Sequence, residues 1–251
     1  MRYLKGFCMA MGMFTGIPLP FHIWDEKLTS VMVAAFPLVG LVIGALWWCA
    51  AALLTFLNLP LIITAAVLTV VPFFAAGFIH LDGYMDTSDA LLSWRPMEDK
   101  LRILVDPRVG AFSVVMLAIV FLLQFAAMHE VAAAGRYIGL VAAITALSRC
   151  CSAFAIFTLR HMPTSNYTAL LKQNIGLSHK IFILVVTATV IAAAFLYAGF
   201  LGLAVAAAVV VGYAVAIRRA FKGFDGISGD LLGYALVISE VCGLITLAVL
   251  L

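Results

Sequence analysis

Long apolar runs alternate with short polar segments throughout this chain. Seven runs reach the roughly 20 residues that a helix needs to cross a bilayer: residues 31–57, 61–79, 109–127, 137–159, 181–198, 200–217 and 231–251. The stretch from 181 to 217 is too long for one crossing, and Ala198-Gly199 is its natural break. Trp47-Trp48 and Pro60 mark the first hairpin. Each run predicts an α-helix, because a helix satisfies its own backbone hydrogen bonds in lipid. Residues 1–20 predict something shorter. Arg2 and Lys5 precede an apolar run as in a signal peptide, but Thr15, Gly16 and Pro18 break it and no small-residue cleavage site closes it. A retained interfacial or half-inserted helix is expected there. With no internal repeat and no low-complexity linker, residues 1–251 read as one all-α domain. The expected architecture is a polytopic membrane bundle of about seven transmembrane helices plus the N-terminal helix.

Composition agrees. Hydrophobic residues make up 65% of the chain and charged residues 11%, and mean hydropathy is +1.17. Soluble domains are closer to half apolar and a quarter charged, and disorder needs the opposite bias. The cysteines (Cys8, Cys49, Cys150, Cys151 and Cys242) lie in apolar runs without metal or redox spacing, so they read as small packing residues. The net charge of +3 matters less than its placement. Arg2, Lys5, Lys27, Arg95, Lys100, Arg102, Arg108, Arg160, Lys172, Lys180, Arg218, Arg219 and Lys222 all fall in segments 1–30, 80–108, 160–180 and 218–230. Only Arg136 falls on the other side, and Arg149 lies within a span. Basic residues concentrate on the cytoplasmic side of membrane helices. The N-terminus is therefore expected inside and the C-terminus outside, across a cytoplasmic (inner) membrane. The same basic segments suit docking of other enzymes, although positive-inside flanks look the same, and whether the chain forms a homo-oligomer is left open by the sequence. No nucleic-acid partner is expected.

The first chemistry lies directly after the second run, in His80-Leu81-Asp82-Gly83-Tyr84-Met85-Asp86-Thr87-Ser88-Asp89. On a helix, at roughly 100° per residue, Asp82, Asp86 and Asp89 share a stripe about 60° wide. Three carboxylates on one stripe repel each other unless a cation sits among them. Hard oxygen ligands of this kind suit Mg²⁺ or Mn²⁺, completed by water and a substrate phosphate. His80 points away from the stripe if the helix includes it, leaving both a base and a structural hydrogen bond open as roles. The following loop supplies Arg95, Lys100, Arg102, Asp106 and Arg108, and Asp106-Pro107-Arg108-Val109-Gly110 opens the third run. Cations beside an acidic metal site make sense for a phosphate ester or diphosphate substrate, although positive-inside flanks look the same. Arg108, beside Asp106 and Gly110, reads as functional. A second acidic segment, Phe224-Asp225-Gly226-Ile227-Ser228-Gly229-Asp230, enters the last span from the same side, followed by Gly233 and then Glu240. Glu240 and Arg149 both fall deep in their spans. Buried charges in a membrane pair or line a polar cavity, so Arg149 is expected to pair with Glu240 or with an acid of the cluster.

These residues carry a family resemblance. The stretch Gly77-Phe78-Ile79-His80-Leu81-Asp82-Gly83-Tyr84-Met85-Asp86-Thr87-Ser88-Asp89 resembles the signature of cobalamin synthases, the adenosylcobinamide-GDP ribazoletransferases. Thr15-Gly16-Ile17-Pro18-Leu19-Pro20, Phe36-Pro37-Leu38-Val39-Gly40, Asp106-Pro107-Arg108-Val109-Gly110, Ser148-Arg149, and Gly229-Asp230-Leu231-Leu232-Gly233 with Glu240 resemble further landmarks of that family, in the same order. The chain departs from the pattern at Ala111-Phe112-Ser113, where the family is glycine-rich, at Asp225, where glycine is common, and at Tyr234, where a small residue is usual.

The resemblance implies that the 5′-hydroxyl of α-ribazole or its 5′-phosphate attacks the phosphorus attached to cobinamide in adenosylcobinamide-GDP. GMP then leaves, with Mg²⁺ as cofactor. It implies Asp82, Asp86, Asp89 and Asp230 as metal ligands, Asp89 or Asp230 as proton acceptor, and Arg108, Arg149 and His80 as catalytic partners. Arg102, Arg108, Gly229 and Gly233 are the implied substrate contacts. Two other functions compete. A CDP-alcohol phosphotransferase motif continues from Asp-Gly into Ala-Arg and two acids spaced four apart, whereas here Tyr84-Met85-Asp86 follows and Asp86 to Asp89 is three. A cation-coupled transporter needs its acids near the midplane, and only Glu240 lies there.

Overall fold

Apolar stretches of this length become helices that bury one side and leave the other for lipid, and the computed structural model shows them. It describes residues 1–20, 23–163 and 175–251, so Lys172 of the basic set lies outside the described residues. The helices are α1 (Arg2–Phe14), α2 (Thr29–Ala34), α3 (Phe36–Phe56), α4 (Leu61–Ala75), α5 (Ile79–Leu92), α6 (Met97–Leu104) and α7 (Ala111–Ala134). They continue with α8 (Leu140–Thr158), α9 (Leu177–Ala198), α10 (Phe200–Phe224) and α11 (Gly229–Leu250). Six of them, α3 and α7 to α11, are long and apolar enough to cross a membrane, and α4 with α5 makes a seventh only as a bent pair.

That bent pair corrects the expected second span. The apolar run 61–79 does not form one helix: α4 ends at Ala75, and Gly77 and Phe78 both take left-handed backbone angles, φ 65° and 62°. α5 then leaves at 93° to α4 and lies across one end of the bundle instead of spanning it. The Gly16 N–H donates to the Ala75 carbonyl at 2.9 Å, satisfying one of the acceptors that the broken helix leaves open. The first span also starts later than expected, at Phe36, after the short helix α2. Ala35 ends α2, and Pro37 fits the first turn of α3, where its missing N–H costs nothing.

α8 is the most enclosed span, with 78% of its apolar window buried, against 17% for α9 at the periphery. Around α8, α3 packs on one side and α10 and α11 on the other, and α11 carries α5 across its start. Gly40 and Gly44 of α3 sit directly against the Ala142–Ala146 turn of α8, so the two backbones touch without intervening side chains. Outward-facing Leu122, Leu196, Val211 and Val249 form the apolar exterior that lipid requires. α1 buries Met9, Ala10 and Phe14 against α2 and α3 and exposes Tyr3 and Leu4, the two-faced pattern of an interfacial helix.

The alternation of helices defines two ends. At one end lie α1, α5, α6, the starts of α3, α7, α9 and α11, and the C-terminal ends of α8 and α10. There the segment after α8 is stitched to the α10–α11 loop by Ile227 N–H to Arg160 O, Met162 N–H to Ile227 O, and an Arg160–Asp225 ion pair. At the other end the Arg136 guanidinium donates to the Leu251 carbonyl at 2.6 Å.

Candidate active site

The acidic stripe forms because α5 is a helix through its whole acidic motif, with Asp82, Asp86 and Asp89 successive on one side. Its position is set by close backbone contact with α11. A Cβ placed on Gly83 would stand 2.7 Å from Asp230 Cα, and one on Gly233 would stand 2.9 Å from the His80 carbonyl oxygen. Only glycine permits that approach, which brings Asp230 over the stripe. The Tyr84 ring stacks on Tyr234 with centroids 5.7 Å apart, and the Tyr84 hydroxyl donates to the Met116 carbonyl at 3.2 Å. Two helices, α11 and α7, therefore hold α5 in place.

Asp82 and Asp86 line a polar cavity of about 230 Å³ together with Asp106, Arg108 and Ser113. Burial pushes the Asp86 carboxyl up to about 6, helped by the charges of Asp82, Asp230 and Asp89 around it. Asp89 turns toward α7, where its carboxylate rests on Gly110 so closely that no Cβ fits. Arg108 grips Asp106 with two guanidinium nitrogens, Nη2 at 2.7 Å and Nε at 2.9 Å, and its backbone N–H donates to the same carboxylate at 3.0 Å. Those hydrogen bonds hold the Asp106 carboxyl down at about 2.

Four arginines are paired with acids outside the cluster. Arg102 pairs with Glu98 at 2.6 Å on the exposed side of α6, Arg108 with Asp106, Arg149 with Glu240 and Arg160 with Asp225. Among the described residues no ion pair involves Asp82, Asp86, Asp89 or Asp230. Four carboxylates thus share one neighbourhood without a protein cation. As placed, no three of the described His, Cys, Asp and Glu side chains converge on a single-ion geometry.

A second cavity, about 270 Å³, lies on the other side of Asp230, walled by Phe14, Phe36, Ile156 and Leu236 and bordered by Gly229, His80 and Ser152. His80 packs against the Phe14 and Phe36 rings, with centroids at 6.3 and 5.7 Å, and its Nε2 is buried without a hydrogen-bond partner. Beneath it, Arg149 donates to Glu240 Oε1 at 2.5 Å and to the Thr145 carbonyl at 2.9 Å, while the Ser148 hydroxyl donates to the same Glu240 oxygen at 2.8 Å. The Phe36 ring lies 5.7 Å from the guanidinium carbon. Of the two partners expected for Arg149, the structure chooses Glu240.

With the geometry in place, comparison with known proteins is decisive. A family model described as cobalamin-5-phosphate synthase matches residues 6–248. The chain belongs to the cobalamin-5-phosphate synthase family. Similar members are named adenosylcobinamide-GDP ribazoletransferase. That of Clostridium botulinum is 34% identical over 240 residues, covering 96% of this chain and 95% of its own. That of Clostridium perfringens is 35% identical over 248 residues, 99% of each chain. That of Geobacillus kaustophilus is 33% identical over 240 residues, 91% and 89%. No solved structure matches.

The places where this chain departs from the family pattern have local explanations. Asp225 caps α10 in the left-handed region, φ 54° and ψ 31°, which suits glycine but also tolerates aspartate, and it pairs with Arg160. Tyr234 stacks on Tyr84. The Ser113 hydroxyl donates to the Gly110 carbonyl at 2.6 Å, closing the turn that opens α7.

Of the residues singled out from sequence, Asp82, Asp86, Asp89, Asp230 and Arg108 come together. Arg149 and His80 sit one layer deeper, Gly229 opens toward free space, Gly233 is covered by α5, and Arg102 faces away on α6. Sequence reasoning marked Phe36 only as part of a family landmark, and it did not find Phe14 or Ser152. A serine four residues after Ser148 on an apolar helix was the available signal for Ser152.

Proposed function

We propose that this chain catalyses Mg²⁺-dependent transfer of the adenosylcobinamide-phosphoryl group from adenosylcobinamide-GDP to α-ribazole or its 5′-phosphate. The products are GMP and adenosylcobalamin or its 5′-phosphate. What carries the reading is the cluster of four carboxylates that, among the described residues, no basic side chain pairs with, set beside a polar cavity in a chain matching the family almost end to end. The donor set fits Mg²⁺, which keeps several waters and takes one or two carboxylates plus substrate phosphates in place of an all-protein cage. Carboxylates that do not converge by themselves suit such a site. Bound there, Mg²⁺ supplies neutralisation of the diphosphate.

We assign Asp82 and Asp86, on the polar cavity, as the principal ligands, with Asp89 and Asp230 flanking them. Arg108, whose side chain is 88% exposed at the same cavity, keeps Nη1 and the outer edge of its guanidinium for a phosphate while Nε and Nη2 hold Asp106. The acceptor oxygen forms a bond to the phosphorus next to cobinamide, and the bond from that phosphorus to the bridging oxygen breaks, the oxygen leaving on GMP. The hydroxyl proton passes to a carboxylate, and Asp230, which borders both the cluster and the second cavity, is better placed than Asp89 against Gly110. Arg149, through Glu240, positions the middle of α11, and His80 positions the start of α5, in place of contacting phosphate.

One expectation changes. A product described as cobalamin 5-phosphate has its ribose 5′-oxygen already occupied, so the attacking group is a ribose ring hydroxyl, not the 5′-hydroxyl. The end that carries the cluster also carries most of the basic residues, which supports a site on the cytoplasmic side of the inner membrane. The test uses purified protein in detergent or bilayer with adenosylcobinamide-GDP and α-ribazole, following GMP and the corrinoid product. Mg²⁺-dependent product that disappears in Asp86→Ala supports the reading. Product unaffected by chelation, or none from folded protein, removes it.

A further inference from the structure

We propose that the apolar cavity beside Asp230 binds the flat aromatic base of the acceptor nucleoside, an inference that rests on the transferase reading above. The carboxylate cluster stands between two cavities of opposite character. Asp82 and Asp86 open onto the polar one with Asp106 and Arg108, and Asp230 opens onto the apolar one. A displacement at phosphorus needs donor and acceptor to reach the cluster from different directions. The donor's diphosphate belongs with Arg108, Ser113 and the proposed metal-holding acids Asp82 and Asp86 on the polar side, which leaves the apolar side for the acceptor.

The walls specify what kind of group enters. Phe14 and Phe36 stand with ring centroids 4.3 Å apart and tilted by 40°, with Ile156 completing an aromatic and aliphatic lining. Polar capacity is small. The Ser152 hydroxyl already donates to the Ser148 carbonyl at 3.1 Å, and the buried His80 Nε2 is without a partner. A glycosylated benzimidazole matches this account: it is flat, apolar at its rim, and keeps one unsubstituted ring nitrogen to be satisfied. The donor's guanine does not match, because its edge carries several donors and acceptors that these walls leave unpaired. The corrin macrocycle is too large for about 270 Å³. A Cβ built on Gly229 meets nothing within 4 Å, so the ribose has open space between the cavity and Asp230.

The test compares two acceptors, α-ribazole and the corresponding riboside of monocyclic imidazole, in wild type, Ile156→Phe and Ile156→Ala. Ile156 is buried, lines the cavity and lies outside the carboxylate cluster. Changes of a few methylene groups in an apolar pocket discriminate about 10–200-fold. Ile156→Phe is therefore expected to raise KM for α-ribazole at least about tenfold, leaving KM for adenosylcobinamide-GDP unchanged and sparing the imidazole riboside. Ile156→Ala is expected to improve use of a riboside carrying a base one ring larger. Should Ile156→Phe not fold, the alanine variant and photolabelling of wild type with an azidobenzimidazole riboside, mapped to Phe14, Phe36 or Ile156, decide the matter. Equal loss for both acceptors, a change confined to the donor's KM, or labelling elsewhere overturns the cavity assignment while wild-type turnover leaves the transferase reading standing. Absence of wild-type turnover with either acceptor overturns both.

Discussion

A guanidinium inside an apolar bundle is stable only with its charge answered, and Arg149, 1% exposed at its side chain, is answered by Glu240. That a deep Arg needs a deep acid was legible in the sequence; that Ser148 shares the same Glu240 oxygen was not, since a serine in an apolar helix usually bonds its own backbone. Breaking a buried pair costs about 3–5 kcal/mol, whereas replacing both partners with apolar groups is often neutral. Arg149→Ala is thus expected to lose far more folded protein than Arg136→Ala at the open end, and Arg149→Met with Glu240→Leu to recover most of it, as read by monodisperse yield and thermal unfolding. The acid cluster makes the opposite prediction, because its charges are unanswered. The Asp86 carboxyl, raised from 3.8 to about 6, binds its proton more tightly folded than unfolded. Its ionisation therefore costs stability as pH rises from about 4 through about 6. In chelator, Tm is expected to fall over that window, and Asp86→Asn to flatten the fall. A Tm independent of pH in the metal-free wild type would contradict the crowding of these carboxylates.

Helices as units were largely readable from hydropathy, and the exception is instructive. Residues 61–79 are apolar throughout, so nothing in their hydropathy marks a break, yet the chain turns by 93° after Ala75. Hydropathy measures side chains, whereas the turn is made by two successive left-handed backbone positions, Gly77 and Phe78. The reoriented α5 presents its acids across the bundle end, and Gly110 at the start of α7 sets where Asp89 rests. A methyl group at that position collides with the Asp89 carboxylate. Overpacking of this kind costs about 1–3 kcal/mol and moves the neighbour that yields most easily, here a side chain and not a helix. Gly110→Ala is expected to keep its fold and lose transferase activity by at least tenfold, while Gly135→Ala, which has open space around it, keeps its activity. Gly135 takes φ 63°, so that control carries a small stability penalty without touching the cluster. Activity retained in Gly110→Ala would show that Asp89 need not sit where it does. The aromatic cavity escaped sequence reading for a related reason: Phe14 and Phe36 have the same apolar character whether they line a cavity, pack a core or face lipid.

For the whole molecule, charge placement and site placement are one fact. Arg2, Lys5, Lys27, Arg95, Lys100, Arg102, Arg108, Arg160, Lys180, Arg218, Arg219 and Lys222 lie toward the end that carries α5 and the start of α11, with Arg136 at the opposite end. The bias that orients a bundle during insertion thus also decides which compartment meets the carboxylates. A nucleotide diphosphate donor carries fixed negative charge and does not cross a bilayer unaided. It follows that sealed membrane vesicles separate the two orientations without any variant. Inside-out vesicles, with the cytoplasmic face exposed, are expected to release GMP from added adenosylcobinamide-GDP in the presence of α-ribazole and Mg²⁺. Right-side-out vesicles are expected to do so only after permeabilisation. A cysteine-free background carrying one cysteine beside Leu251 supplies the matching check: under the proposed topology it is expected to react with an impermeant maleimide in right-side-out vesicles alone. Turnover by intact right-side-out vesicles in which that cysteine stays unlabelled, with vesicle orientation set by an independent marker, would invert the topology and require the donor to be supplied from outside.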